Sequence, residues 1–295
     1  MPSFTYFEPA SLAEALSLLG THGEDARIIA GGQSLLILMR QGLIRPQRLI
    51  SLHRIPELRQ IKSEEKTIAL GAMSTQREIS LADGIRARLR ALAEAASRVG
   101  SIHVQNLGTV GGNISHAEPN GDSAPALIAL GASVLAASRR GERVIPLEDF
   151  FRGPFENCLE PDEMVVRIHV PLPASGASSV YVKHVQRAVD RATVGIGVQL
   201  SLDGGSVCRE ARIGVGGAAP APFRATKADA LLKGEKISDA LIEAVGAEVS
   251  AMCDPLSDSH GPAEYKRKMA GVFAKRAIRA LLSSKGAGSS EQSGG

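Results

Sequence analysis

Tryptophan is absent from this chain and aromatic residues make up only 3% of it, which leaves little to build a base-stacking surface from. The formal net charge is +3 and no block of Lys or Arg stands out, so nucleic acid is not an expected partner. There are three cysteines, Cys158, Cys208 and Cys253, far apart and in no C-x-x-C spacing, so the chain cannot hold a four-cysteine iron–sulfur cluster by itself. The seven histidines form neither an H-x-x-x-H nor an H-E-x-x-H pair, which argues against a zinc site. No G-x-x-x-x-G-K-[ST] loop occurs. Nor is there an apolar run approaching the ~18 residues of a membrane span. The N-terminus lacks a basic stretch followed by an apolar one, so a cytoplasmic location is expected.

What the chain does have is ordinary globular material: 295 residues, 44% hydrophobic and 22% charged, enough for about two domains. Ser11-Leu12-Ala13-Glu14 and Thr75-Gln76-Arg77-Glu78 read as capping boxes, the first opening a helix that Gly20 should close. Ala26–Ile29 reads as a strand, Leu35–Arg40 as a short helix, and Ile85–Val99 as one amphipathic helix. Residues 100–119 show little periodicity, and a short helix over 124–130 follows with Asp122 or Ser123 as its N-cap. Strands are expected near 67–70, 134–137, 143–145 and 164–170. Past Pro171, Pro173 and Gly176 come three more, over 180–186, 194–202 and 208–215, with a hairpin turn at Asp203-Gly204-Gly205. Helices over 225–232, 238–252 and 264–282 complete the reading. The resulting fold class is α+β: a domain over 1–175, a smaller sheet-and-helix domain over 176–284, and a disordered Gly/Ser-rich tail over 285–295.

Three glycine clusters merit a chemical reading. Gly214-Val215-Gly216-Gly217-Ala218-Ala219 follows a strand, as a dinucleotide fingerprint would, but Pro220 and Pro222 fall where the phosphate-receiving helix has to run. Ala30-Gly31-Gly32-Gln33-Ser34 lies between a strand and a helix, where glycine permits positive φ and close approach to the backbone, and successive N–H groups can form an anion nest. The same chemistry recurs in Thr109-Val110-Gly111-Gly112-Asn113. Each loop alone reads more readily as a tight turn. Two in one domain suit a diphosphate.

Four stretches together resemble a known family. They are Ala30-Gly31-Gly32-Gln33-Ser34-Leu35, Asn106 to Ile114, Gly121-Asp122-Ser123 with Pro125-Ala126-Leu127, and Gly261 to Ala270. In this order they are similar to the FAD-binding medium subunits of the molybdenum hydroxylases, the xanthine dehydrogenase and carbon monoxide dehydrogenase group. The resemblance runs over nearly the whole chain. It implies a two-lobed PCMH-type FAD-binding domain and a small C-terminal domain of a three-stranded antiparallel sheet plus helices. It implies non-covalent FAD here. A large subunit carrying Mo-molybdopterin and a small subunit carrying two [2Fe–2S] clusters would be the partners, in a dimer of heterotrimers. The flavin would pass electrons from the clusters to an external acceptor.

Residue by residue, the resemblance carries diphosphate contacts onto Ile29, Ala30, Gly31, Gly32, Gln33, Ser34 and Leu35, and onto Thr109, Val110, Gly111, Gly112 and Asn113. It makes Asp122 an acceptor for ribityl or ribose hydroxyls, with helix N-capping as the competing role. It sets Val165 near the flavin, where an ordinary buried strand residue would also sit. Lys183 would lie by the isoalloxazine, its cation favouring anionic reduced flavin; an exposed charge is the alternative. No catalytic side chain is expected. Two positions depart from the pattern: Gln105 where an Arg is common, and Arg191 where carbon monoxide dehydrogenases carry a Tyr. The second points away from CO and toward an N-heterocycle or aldehyde as the substrate of the complex. His103 and His116, which flank the second loop, read as structural or surface residues. A stand-alone FAD oxidoreductase and a non-catalytic ligand-binding module are the rival readings. The first would need its own substrate-binding and proton-transfer residues, and no convincing set is present.

Overall fold

The computed structural model describes residues 3–203 and 207–288. The first lobe is a parallel sheet in the order β1-β3-β2, made of β1 (Thr5–Phe7), β2 (Ala26–Ile29) and β3 (Arg48–Ser51). Its helices are α1 (Leu12–His22) and α2 (Leu35–Arg40). Ser11 caps α1 through Glu14 N–H, while the Glu14 carboxylate reaches back to Ala10 N–H, one residue before the cap. The helix runs through Gly20 and stops at Gly23, whose φ of 47° only glycine adopts easily.

The second lobe contains β4 (Ile61–Ser63), β5 (Thr67–Gly71), α3 (Gln76–Leu81), α4 (Asp83–Arg88), α5 (Arg90–Ser97), α6 (Ile102–Leu107), α7 (Val110–His116) and α8 (Ser123–Ala129). These are followed by β6 (Ser133–Ser138), β7 (Gly141–Pro146), the small ribbon of β8 (Phe151–Gly153) and β9 (Glu156–Asn157), and β10 (Met164–Pro171). The strands form an antiparallel sheet ordered β4-β5-β10-β6-β7. Thr75 and Glu78 make the expected capping box in full. The long helix expected over 85–99 is broken at Leu89, which leaves helical geometry (φ −126°, ψ 51°) to bury its side chain completely. Here tertiary packing overrides helix propensity. Residues 100–119, which show no period, hold two helices too short to display one, capped by Ser101 and Thr109.

The C-terminal unit is an antiparallel sheet, β11 (Ala177–His184), β12 (Val194–Leu202), β13 (Cys208–Gly216) and β14 (Phe223–Arg224), covered by α9 (Thr226–Leu232), α10 (Asp239–Met252) and α11 (Ala263–Gly288). Its sheet therefore has a fourth strand, which two residues are too few to announce in a sequence. Helix α11 continues to Gly288, past the expected start of the tail, while 289–295 and Gly204 to Ser206 of the expected hairpin lie outside the described residues.

Every residue of α8 is buried, as the apolar run after Ser123 demands, and the Ser123 hydroxyl is satisfied by the Gln76 side-chain oxygen. Its seat is made of glycine. A Cβ at Gly214 would stand 2.1 Å from the Pro125 carbonyl oxygen, and one at Gly197 would stand 2.5 Å from it. The cluster at 214–217 thus serves helix-to-sheet approach, not phosphate. Beside this seat, Glu148 accepts from Arg212 (3.0 Å) and Arg224 (3.4 Å), and Arg224 also donates to Asp229 at 2.7 Å. Burial pushes the Asp229 carboxyl up to about 6. A raised acid contributes stability below its unfolded-state value and loses it as pH rises through the folded one. Asp229→Asn lacks that term, so from pH 4 to pH 7 it should gain about 2 kcal/mol on the wild type. Urea denaturation at the two pH values checks this; an unchanged difference would show that Asp229 titrates normally.

Candidate cofactor site

The first loop leaves β2 at Ile29 and enters α2 at Leu35. Gly32 adopts φ 69°, the left-handed region. No hydrogen bond within the described chain is made by the N–H groups of Gly31, Gly32, Gln33, Ser34 and Leu35, nor by the Ser34 hydroxyl. The loop is half-buried, and these donors have no partner among the described residues. The Gln33 amide donates to the Gly31 carbonyl at 3.0 Å and stiffens the turn.

The second loop is built differently. Thr109 is the N-cap of α7, and its hydroxyl accepts from Gly112 N–H at 3.1 Å. Val110 N–H donates to Ser74 O, Gly111 N–H to Ala72 O, and Asn113 N–H to Thr109 O, each at 2.9 Å. What it has left over is Thr109 N–H and the Asn113 side-chain amide, neither with a partner among the described residues. The two loops were expected to contribute alike; the structure makes the first the main bank of free donors.

The loops touch. A Cβ on Gly31 would lie 1.9 Å from the Leu107 carbonyl oxygen, and one on Gly112 would lie 3.6 Å from the Ala30 Cβ. Gly111 is pressed the same way on Ala72, 2.6 Å from its Cβ. Glycine at 31 and 111 therefore brings chain segments together. Neither loop contains an acidic residue, so the free donors meet no competing anion from the loops themselves. That donor set fits a diphosphate.

Asp122 and Lys183 meet across the two units. Lys183 Nζ is 2.9 Å from Asp122 Oδ2 and donates to Arg98 O at 2.9 Å. The two side chains are only 3% and 5% exposed, which removes the exposed-charge alternative for Lys183. Asp122 occupies the N-cap position of α8 but makes no capping bond; its oxygens go to Lys183 and to Tyr181, whose hydroxyl donates at 2.6 Å. Burial pushes the Asp122 carboxyl upward, and Lys183 and Tyr181 pull it back. Lys183 thus carries its counter-charge with it. Any acceptor capacity Asp122 keeps for a ligand is in its second lone pairs.

Val165 is buried on β10 in the second-lobe core, with Ala72, Val110 and Ile114. Gln105 is buried and ties α6 to the end of α5 through Ser97 O at 2.9 Å. Arg191 pairs with Glu118 at 3.1 Å, alongside an Asn120 bond to Ala192 O at 2.7 Å that holds the β11–β12 connection to the segment between α7 and α8. His116 packs on Phe155, and burial pushes its imidazole below the usual histidine range; His103 is exposed. Sequence reasoning missed Tyr181. The available signal was its i, i+2 spacing from Lys183, which puts both on one face of a strand.

No group of three or more potential metal ligands and no helix long and apolar enough to cross a membrane occur among the described residues. Comparison with known proteins follows the same lines. Residues 2–173 match a family described as the FAD binding domain in molybdopterin dehydrogenase, and 179–281 match the CO dehydrogenase flavoprotein C-terminal domain. The chain is 37% identical to the carbon monoxide dehydrogenase medium chain of Hydrogenophaga pseudoflava, covering 95% of this chain and 97% of that one. It is 31% identical to the glyceraldehyde dehydrogenase medium chain of Sulfolobus acidocaldarius, covering 94% and 98%. It superposes on the solved structure of the Hydrogenophaga carbon monoxide dehydrogenase that lacks the Mo-pyranopterin moiety of its cofactor with a TM-score of 0.93, at 37% identity, over 96% of this chain and 98% of that one. With both segments matched and the loops, the buried pair and the fold in place, the chain belongs to the FAD-binding medium subunits of the molybdenum hydroxylase family.

Proposed function

We propose that this chain carries FAD as an electron relay, receiving electrons from [2Fe–2S] clusters on a small subunit and passing them to an external acceptor. A large molybdopterin subunit hydroxylates the substrate. The observation that supports this best is the row of unpaired N–H donors from Gly31 to Leu35, pressed against a second glycine loop. Bound there, FAD supplies the two-electron to one-electron exchange that such a relay needs. The chain's own residues have other tasks. The first loop binds the diphosphate through backbone donors, with Thr109 N–H and the Asn113 amide beside it. Val165 would lie near the flavin, Asp122 would accept from ribityl or ribose hydroxyls, and Lys183, neutralised by Asp122, would lie by the isoalloxazine. No side chain need transfer a proton. The domain limits at 175 and 284, the dimer of heterotrimers and the cytoplasmic location are part of this reading.

Arg191 favours an N-heterocycle or aldehyde over CO as the substrate of the complex. The relatives compared above are named for carbon monoxide and for glyceraldehyde, at 37% and 31% identity. The substrate binds on the large subunit, and that subunit's pocket decides it.

Purification of the full chain with its partners is expected to give a complex whose acid extract contains one FAD per chain. After dithionite reduction, a flavin-stripped complex should lose fast reoxidation of its iron–sulfur bands by added acceptor and regain it with FAD. Equal reoxidation with and without flavin would rule out the relay.

A further inference from the structure

We propose that Tyr181 is a positioning residue that fixes the Asp122 carboxylate, and through it Lys183, in the orientation that receives FAD. This rests on the reading that Asp122 and Lys183 face the cofactor. Tyr181 is completely buried on β11, two residues before Lys183 and on the same face. Its hydroxyl donates to Asp122 Oδ1 at 2.6 Å, while Lys183 holds Oδ2 at 2.9 Å, so one strand grips both oxygens. Its own backbone N–H is anchored by Glu94 Oε2 at 2.9 Å.

The opposite strand is shaped to admit this hydroxyl. Gly195 pairs with Lys183 in register, and a Cβ there would stand 2.5 Å from the Tyr181 oxygen. Burial and the neighbouring carboxylate raise the phenol well above the usual tyrosine range, so it stays protonated and serves only as a donor. The groups facing Asp122 are then Tyr181 and Lys183 from β11 and the more distant Arg98 at the C-cap of α5; Glu94 of α5 faces the Tyr181 backbone. A hydrogen bond to an ionised carboxylate stabilises its charged form. Without the hydroxyl, Asp122 has one donor, rotates more freely and takes up a proton more readily, and the pair with Lys183 dissolves when it does.

The test uses the full chain stripped of flavin and titrated with FAD from pH 5.5 to pH 8.5, following flavin fluorescence. Tyr181→Phe keeps the ring and removes the donor. It is expected to weaken FAD binding about tenfold at the acid end of the range, with the deficit shrinking as pH rises and ionisation of Asp122 is favoured. Gly195→Ala leaves Tyr181 in place and displaces its hydroxyl, and should give the same pH-dependent loss. An affinity loss equal at every pH would mark Tyr181 as packing only and overturn the proposal, as would wild-type affinity in both variants. Wild-type chain that binds no FAD at any pH would instead sink the cofactor reading beneath it.

Discussion

Gly31→Ala is expected to force the two cofactor loops apart and to release the flavin. The added Cβ would lie 1.9 Å from the Leu107 carbonyl oxygen, 2.7 Å from its carbon and 3.0 Å from Gly108 Cα. All three are backbone atoms, and they cannot yield easily. Gly108 O accepts from Gln76 N–H at 2.9 Å, and Val110 N–H is held by Ser74 O at 2.9 Å, which pins the second loop on both sides. The first loop has to move, taking its free donors with it. Overpacking of this kind costs about 1–3 kcal/mol, with the upper end expected where backbone meets backbone. Gly32→Ala makes the control. Its strain is that of a left-handed φ, about 1–2 kcal/mol, and its Cβ meets the mobile end of Leu36. Flavin content after gel filtration and urea denaturation separate the two. A Gly31→Ala protein as stable and as yellow as the wild type would refute the loop-to-loop packing argument.

Lys183→Met is expected to have a larger effect, through electrostatics. Removing one member of a buried ion pair leaves the other charged and uncompensated, at a cost of about 3–5 kcal/mol. Asp122, 4% exposed, would keep only Tyr181. The deficit has a definite pH dependence. Burial already raises the Asp122 carboxyl, and loss of the lysine raises it further. A carboxyl raised in the folded state loses its stabilising contribution as pH climbs through that value, so the variant should fall further behind the wild type toward alkaline pH and approach it in acid. Asp122→Asn combined with Lys183→Met should recover most of the loss, since neither charge is then stranded. Single-mutant deficits that add, with no dependence on pH, would show that the pair is uncoupled.

Much of this site was legible because it is local. A strand, a glycine pair and a helix follow one another within Ala26 to Arg40, and Thr75 to Glu78 closes its capping box within four residues. The helix break at Leu89 was not, because it answers to a core assembled from distant segments. Nor were the destinations of Gly31, Gly111 and Gly214. A sequence shows that a side chain is missing, but not which neighbour fills the space, and in all three cases that neighbour is protein. The unequal donor supply of the two loops was half-visible: Thr109 stands where an N-cap hydroxyl would claim the Gly112 N–H. Tyr181 belongs to no motif, and its partner Asp122 lies on another element far back along the chain.

The glycine-lined seat of α8 has a consequence for how this protein can be taken apart. Family descriptions divide the chain between 173 and 179, and chain order makes that a natural place to cut. The molecule is not jointed there. The helix whose N-cap is Asp122 lies flush on β12 and β13, and at Gly197 and Gly214 its backbone meets the strands with no side chain between. A shift of the C-terminal sheet would therefore press directly on the start of this helix, where Asp122 stands. The C-terminal unit in this sense helps fix where Asp122 and Lys183 stand, and exchanging it between relatives would alter that pair even with both glycine loops left untouched.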